Sequence, residues 1–342
     1  MSLNKRLITT GPASGGSNFG VVTYTGNSDN DYGTDLTQSI TGVGFQPDWV
    51  WIKGRDGYTH AIFDSTRGVT YQITPNSTAA QSNSNGYLKS FDADGFGLGG
   101  DYAFNREDYT YVAWCLKANG GTTSSNTDGS ITSTVQVNAE AGFSIVQYTG
   151  TQANATVGHG LGIAPKMIMT KALGSTQGWP TLAVGATTNF YGLRLNESNA
   201  NNAGNGAGFF QNFTPDSSIF KLGSSDESNA NGQTTIAYCF ADVSGQSKIS
   251  GYDGTGSALS ITGLGFQPDF LLLKCAESTE QWYMWDSARG ASKFLHPNLD
   301  NSEGTDATTR LTSFDSDGFS LGTDGAVNAS GSEYIYLAFK IS

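Results

Sequence analysis

A chain of 342 residues is about twice the length of an ordinary domain, so two or three compact units are expected. Its 45 glycines and a charged fraction of only 14% exclude coiled coils and long-helix architectures, while 19 Phe, 15 Tyr and 6 Trp supply the apolar surface that a disordered chain lacks. A formal net charge of -12 repels phosphate backbones, so nucleic acid is not an expected partner.

The opening MSLNKRLITTGP is short and basic and is followed by the joint ASGGSNFG. Residues 1–20 read as an N-terminal docking arm, with Leu3, Lys5, Arg6, Leu7 and Ile8 adding a strand to the sheet edge of another protein. The start has no apolar h-region, and no apolar run reaches the ~18 residues of a spanning helix, so synthesis without export and no membrane insertion are expected.

From there the chain repeats itself. A first unit, 21–118, carries SITGVGFQPDWVWIK (39–53), FDSTRG (63–68), FDADGFGLG (91–99) and the aromatic strand YVAWCLK (111–117). The stretch 119–140 is polar and glycine-rich and reads as a linker. A divergent second unit, 141–243, opens with FSIVQYTG, continues with HGLGIAPKMIMTK and closes with IAYCFAD, which sets Cys239 in the column of Cys115. It lacks FDSxRG and FDxDGF, and SIFKLG (218–223) is the candidate remnant of the latter; 199–208 reads as a loop inside this unit. The third unit, 244–342, restores SITGLGFQPDFLLLK (260–274), identical to the first at ten of fifteen positions, with WDSARG, FDSDGFSLG and YLAFK.

The runs WVWIK and FLLLK are continuous apolar stretches of strand length and predict central strands buried on both faces. The clusters SNGY, ADGF and SDGF are turn chemistry, and no segment shows a capped helical pattern over several turns. The predicted fold is all-β: three tandem antiparallel β-sandwich units, jelly-roll or lectin-like, behind an N-terminal arm.

Motifs for chemistry are sparse. Cys115, Cys239 and Cys275 form no C-x-x-C and read as buried free thiols, and His60, His159 and His296 have no partner at metal-ligand spacing. Without a G-x-S-x-G elbow, P-loop or dinucleotide fingerprint, neither an enzyme nor a cofactor is expected. The pairs Asp92/Asp94 and Asp315/Asp317 allow a calcium reading, but a hydrophobic strand follows each, and a carboxylate-stabilised turn with Gly95 or Gly318 at positive φ fits better. Asp64 with Arg67 and Asp286 with Arg289 read as ion pairs tying a loop to the sheet. Trp179, Trp282, Tyr283 and Trp285 cluster near loops and are the candidate exposed ligand or host contacts.

At GFQPDWVWIK, FDSTRG, FDADGFGLG, YVAWCLK and their third-unit counterparts, with the intermediate STVQVNAEAGFSIVQYTG and TVGHGLGIAPKMIMTK, the sequence resembles repeat-bearing structural proteins of marine and cyanobacterial tailed phages. The resemblance spans most of the chain after about residue 20 and implies a non-enzymatic virion protein, made in the host cytoplasm, in a tail fibre, tail appendage or adhesin. It implies other virion proteins as partners and a homo-oligomer, and brings no catalytic residue. A capsid decoration protein and a carbohydrate-binding module that reads host surface glycans are the alternatives.

Overall fold

The continuous apolar runs form the most buried strands of the chain. The structure, a computed structural model, describes residues 18–29 and 37–341; Leu3, Lys5, Arg6, Leu7 and Ile8 of the expected arm lie outside the described residues. Strand accounts for 44% and helix for 6%, in several antiparallel sheets.

The first repeat builds a four-stranded sheet in the order Phe19–Thr25, Thr110–Leu116, Trp49–Gly54, His60–Asp64. The third uses the same order with Ser247–Asp253, Glu333–Phe339, Phe270–Cys275 and Trp282–Asp286. In the second the order recurs as Phe143–Thr149, Thr234–Phe240, Met167–Ala172 and Pro180–Val184, inside a seven-stranded sheet. Two of the additional strands, Ser124–Asn126 and Ser133–Asn138, lie within the stretch 119–140 that composition suggested was a linker. Polar residues on an edge strand leave the apolar periodicity weak, which is why composition alone reads as loop. Likewise 199–208 contains the start of a helix, Ala203–Phe210, capped by the Asn202 side chain.

The smaller sheets also correspond. Gln38–Thr41 pairs with Gly95–Leu98, and Leu259–Thr262 pairs with Gly318–Leu321. In the divergent repeat Ala155–Gly158 pairs with Ile219–Leu222, so SIFKLG does occupy the place of FGLG. Before each closing strand a one-turn helix ends on a fully buried asparagine: Asn105, Asn229 or Asn328. Each accepts from a backbone N–H just after the opening strand (Asn27, Thr151, Thr255; 2.8–3.0 Å) and donates to a glycine carbonyl (Gly99, Gly223, Gly322; 2.7–2.9 Å). This latch survives in all three repeats because it satisfies backbone groups that no strand can reach.

Alternation along the central strands decides where the cores lie. Val50 and Ile52 point into the first repeat's own core, as Ile168 does in the second and Leu271 and Leu273 in the third. The intervening Trp49, Trp51, Met167, Met169, Phe270 and Leu272 all enter one further core common to the three repeats. The corresponding four strands of the three repeats thus turn their inner faces toward each other. Phe19 stacks on Phe339 at 4.9 Å, and Phe240 lies 6.0 Å from Phe339, so rings from all three repeats meet. The cavity left there, lined among others by Trp51, Met169 and Leu272, measures only about 10 Å³ and is apolar. That is scarcely the room one water needs and no place for a ligand.

Candidate functional site

The four aromatics expected at the surface are buried. Trp179, Trp282 and Trp285 are 0% exposed and Tyr283 4%, so none of them offers a face to a ligand. Tyr283 and Trp285 stack at 5.4 Å inside the third repeat's own core. Trp179 and Trp282 have a different task. Trp179 Nε1 donates to the carbonyls of Thr74 (3.0 Å) and Ser77 (3.2 Å) in the first repeat, and Trp282 Nε1 donates to Arg194 O (3.0 Å) in the second.

The matching position of the first repeat is His60, and it reaches into the third. Trp51 Nε1 donates to His60 Nδ1 at 2.8 Å, so the ring proton sits on Nε2, which donates to His296 O (2.9 Å) and Leu299 O (3.1 Å). Burial, helped by the charge of Lys53, holds His60 well below the ordinary histidine range and keeps this tautomer neutral. One ring N–H per repeat therefore plugs a turn of its neighbour, first into third, third into second, second into first. A backbone bond repeats the cycle: Glu303 N to Arg55 O (2.8 Å), Gln81 N to Leu173 O (2.9 Å) and Asn201 N to Ala276 O (2.7 Å).

Beside each ring lies a lysine of the central strand: Lys53, Lys171 and Lys274, all fully buried. Lys53 Nζ donates to Gly54 O, Gly57 O, Tyr58 O and, across the seam, Asp300 O. Lys171 Nζ similarly reaches Thr78 O (2.9 Å) of the first repeat and Gln177 O (2.5 Å), and Lys274 Nζ reaches Cys275 O and Ser278 O. Burial pushes all three down to about 8, yet below that pH an ammonium remains to fill the carbonyl cradle. Their visible work is cross-linking hairpins and, for Lys53 and Lys171, seams.

The acidic motifs resolve in the same way. Arg67 pairs with Asp64 (2.5 Å) and Arg289 with Asp286 (2.7 Å), with both partners of each pair buried. Each aspartate also accepts a donor from the next repeat, Tyr238 OH on Asp64 (2.6 Å) and Trp114 Nε1 on Asp286 (3.0 Å). In the second repeat the aspartate column holds Ala183, and the donor column of the third repeat holds Leu337; both lie in the shared core. Asp94 accepts from Gly42 N (3.1 Å) and Gly44 N (2.6 Å), and Asp317 from Gly263 N (2.9 Å) and Gly265 N (2.7 Å). These carboxylates are turn stabilisers. Gly95 (φ 150°) is required on a second count, because a Cβ there would lie 1.9 Å from Ile40 O. The three thiols are free and buried, and burial pushes Cys239 up to about 12. Among the described residues no group of three His, Cys, Asp or Glu side chains is placed to hold a metal ion.

What the sequence reading missed lies in the first repeat. The Arg106 guanidinium sits 4.5 Å from the ring centre of Tyr109, 5.5 Å from Tyr102 and 6.0 Å from Tyr58, and it donates to Tyr58 OH. All four side chains are half-buried, and exposed Asp56, Glu107 and Asp108 surround them in sequence. A column-by-column comparison of the repeats is the signal that finds this group, since the other two repeats carry Ala230 and Ala329 where the first has Arg106.

Fold and seams together define an all-β protein of three repeats closed into a ring. A family described as a domain of unknown function, DUF7483, matches residues 14–342, and the chain belongs to that family. No curated protein matches it.

Proposed function

We propose that this chain is a non-enzymatic structural protein of a phage particle, in a tail fibre, tail appendage or adhesin on the outside of the virion, in which each repeat acts as a β-sandwich of a four-stranded sheet and a smaller sheet over its outer face. The observation that carries the reading is the use made of the chemistry-bearing side chains: His60, Lys53, Lys171 and both Asp–Arg pairs are spent on joining repeat to repeat, while Lys274 ties its own hairpin. Such a closed body, with a charged fraction of only 14%, suits a rigid exposed module. Asn18 and Ile341 lie at the same end of it, since Gln246 accepts both from Asn18 Nδ2 (3.3 Å) and, at its carbonyl, from Lys340 N (2.9 Å). Phe19 and Gly20 of the expected arm belong to the sheet, and the part of the arm before them would then attach the module by that end and leave the opposite hairpins outward.

The test is the composition of purified particles from the phage genome that encodes the chain. The protein should be present in a fixed number set by the tail symmetry, and deleting Met1 to Pro12 should abolish its incorporation while the folded repeats persist. Absence from particles, or normal incorporation of the truncated chain, would overturn the reading; a copy number that follows the capsid lattice would move it to the decoration class.

A further inference from the structure

Three near-equivalent repeats provide an internal control for which surface residues the scaffold needs. The segment 102–109 of the first repeat, YAFNREDY, corresponds to 226–233, DESNANGQ, and to 325–332, GAVNASGS. The latch asparagine is common to all three, and so is the backbone path: Tyr109, Gln233 and Ser332 each donate N–H to the carbonyl of residue 106, 230 or 329. The scaffold is therefore indifferent to the side chains at these columns. Only the first repeat sets Tyr102, Arg106 and Tyr109 there, and only its hairpin contributes an aromatic, Tyr58, where residues 173–178 and 276–281 have none. The backbone is bent to the same end. Asp108 (φ 65°) and Tyr58 (φ 67°) hold the left-handed conformation, and at the Asp108 column the other repeats use Gly232 (φ 69°) and Gly331 (φ 79°). Strain kept where glycine is the available alternative is a mark of a functional surface.

From this asymmetry we infer that Tyr58, Tyr102, Tyr109 and Arg106 form a binding surface for a neutral glycan. The rings pack edge to face, Tyr58 on Tyr109 at 5.4 Å and 71°, with the guanidinium closing the group, so they are held in fixed orientation and need little ordering on binding. Half-buried tyrosines combine an apolar face for the C–H surface of a sugar ring with a hydroxyl at the rim. Asp56, Glu107 and Asp108 add three exposed carboxylates against one arginine and repel anionic polymers; Asp56 Oδ2 already accepts from Thr110 N and Oγ1 (both 2.7 Å), and Glu107 is an exposed acceptor for sugar hydroxyls. A protein partner would call for a desolvated apolar centre, whereas this group is ringed by charge and the one exposed large aliphatic among the described residues, Ile163, belongs to another repeat. The surface lies at the end of the sheet away from Asn18: Thr110 pairs with Thr25, while Leu116 pairs with Phe19. It goes beyond the virion reading and is testable on the isolated chain.

The experiment measures retention and affinity of the full chain on a panel of immobilised neutral glycans (glucans, mannans, galactans, chitooligosaccharides) with alginate and polygalacturonate as anionic comparisons. The variants are taken from the other repeats so that folding is preserved: Arg106→Ala, Tyr109→Ser and Asp108→Gly, with circular dichroism and melting as controls. The native chain should hold at least one neutral class above the anionic polymers, and Tyr109→Ser should weaken it about tenfold or more. Trp285→Phe, which alters a buried ring, should leave it unchanged. No retention of any neutral glycan, preference for the anionic polymers, or undiminished binding by folded Tyr109→Ser would overturn the assignment.

Discussion

Asp286 illustrates how a single buried charge is kept. It receives the Arg289 guanidinium, the Arg289 N–H and the Trp114 indole N–H, and Arg289 is held in turn by Glu303. Removing the cation strands a carboxylate in the core, so Arg289→Met should cost about 3–5 kcal/mol in a urea titration. The seam between the second and third repeats supplies the alternative, with Ala183 and Leu337 where a carboxylate and its donor would be. The triple variant Asp286→Ala/Arg289→Met/Trp114→Leu should accordingly lose less than Arg289→Met alone, and an equal or larger loss would show that the ion pair stabilises beyond its own desolvation. Histidine gives a pH dependence of known sign. Burial lowers His60, His159 and His296, so below about pH 6.5 the unfolded chain takes up protons that the folded chain refuses, and stability falls as the pH drops, by up to about 1.4 kcal/mol per unit for each group. His60→Trp copies Trp179 and Trp282 at the loss of Trp51's acceptor; it should remove one histidine's share of that slope between pH 7 and 5. At Asp108 the substitution to glycine should raise stability by about 1 kcal/mol, readable as a higher melting temperature.

Strands and hairpins of the first and third repeats were legible because their sequences repeat almost word for word, and because WVWIK and FLLLK can only be strands covered on both sides. The seam elements were not. Trp179 and Trp282 are flanked by Gln177, Gly178 and Gln281, which suggests exposure; the polar flank in fact faces a neighbouring repeat through backbone carbonyls, a partner that leaves no side-chain pattern to read. Tyr58 and Tyr109 are brought together from two different hairpin ends, so their grouping emerges only from the paired register of the strands that carry them. The seam account makes its own prediction. Trp179→Ala and Trp282→Ala should each destabilise by about 3–5 kcal/mol in chemical denaturation. Loss of less than about 1 kcal/mol at either position would mean that the indole does not plug the neighbouring turn.

At the scale of the molecule, the sequence suggested beads on a string, each repeat with its own core. Those private cores exist, but one face of the four shared strands in each repeat lines the common interior, and the ring closes because the first repeat reaches the third as directly as the second reaches the first. A repeat cut out of this ring would expose the Trp49, Met167 or Phe270 face to water. The fold should consequently behave as one cooperative unit. The decisive measurement is equilibrium unfolding of the full chain followed by tryptophan fluorescence and far-ultraviolet circular dichroism, alongside the isolated segment 244–342. Coincident single transitions, with the segment failing to fold alone, are the expected result. Separate transitions for the repeats, or a segment as stable on its own as within the chain, would contradict the closed ring.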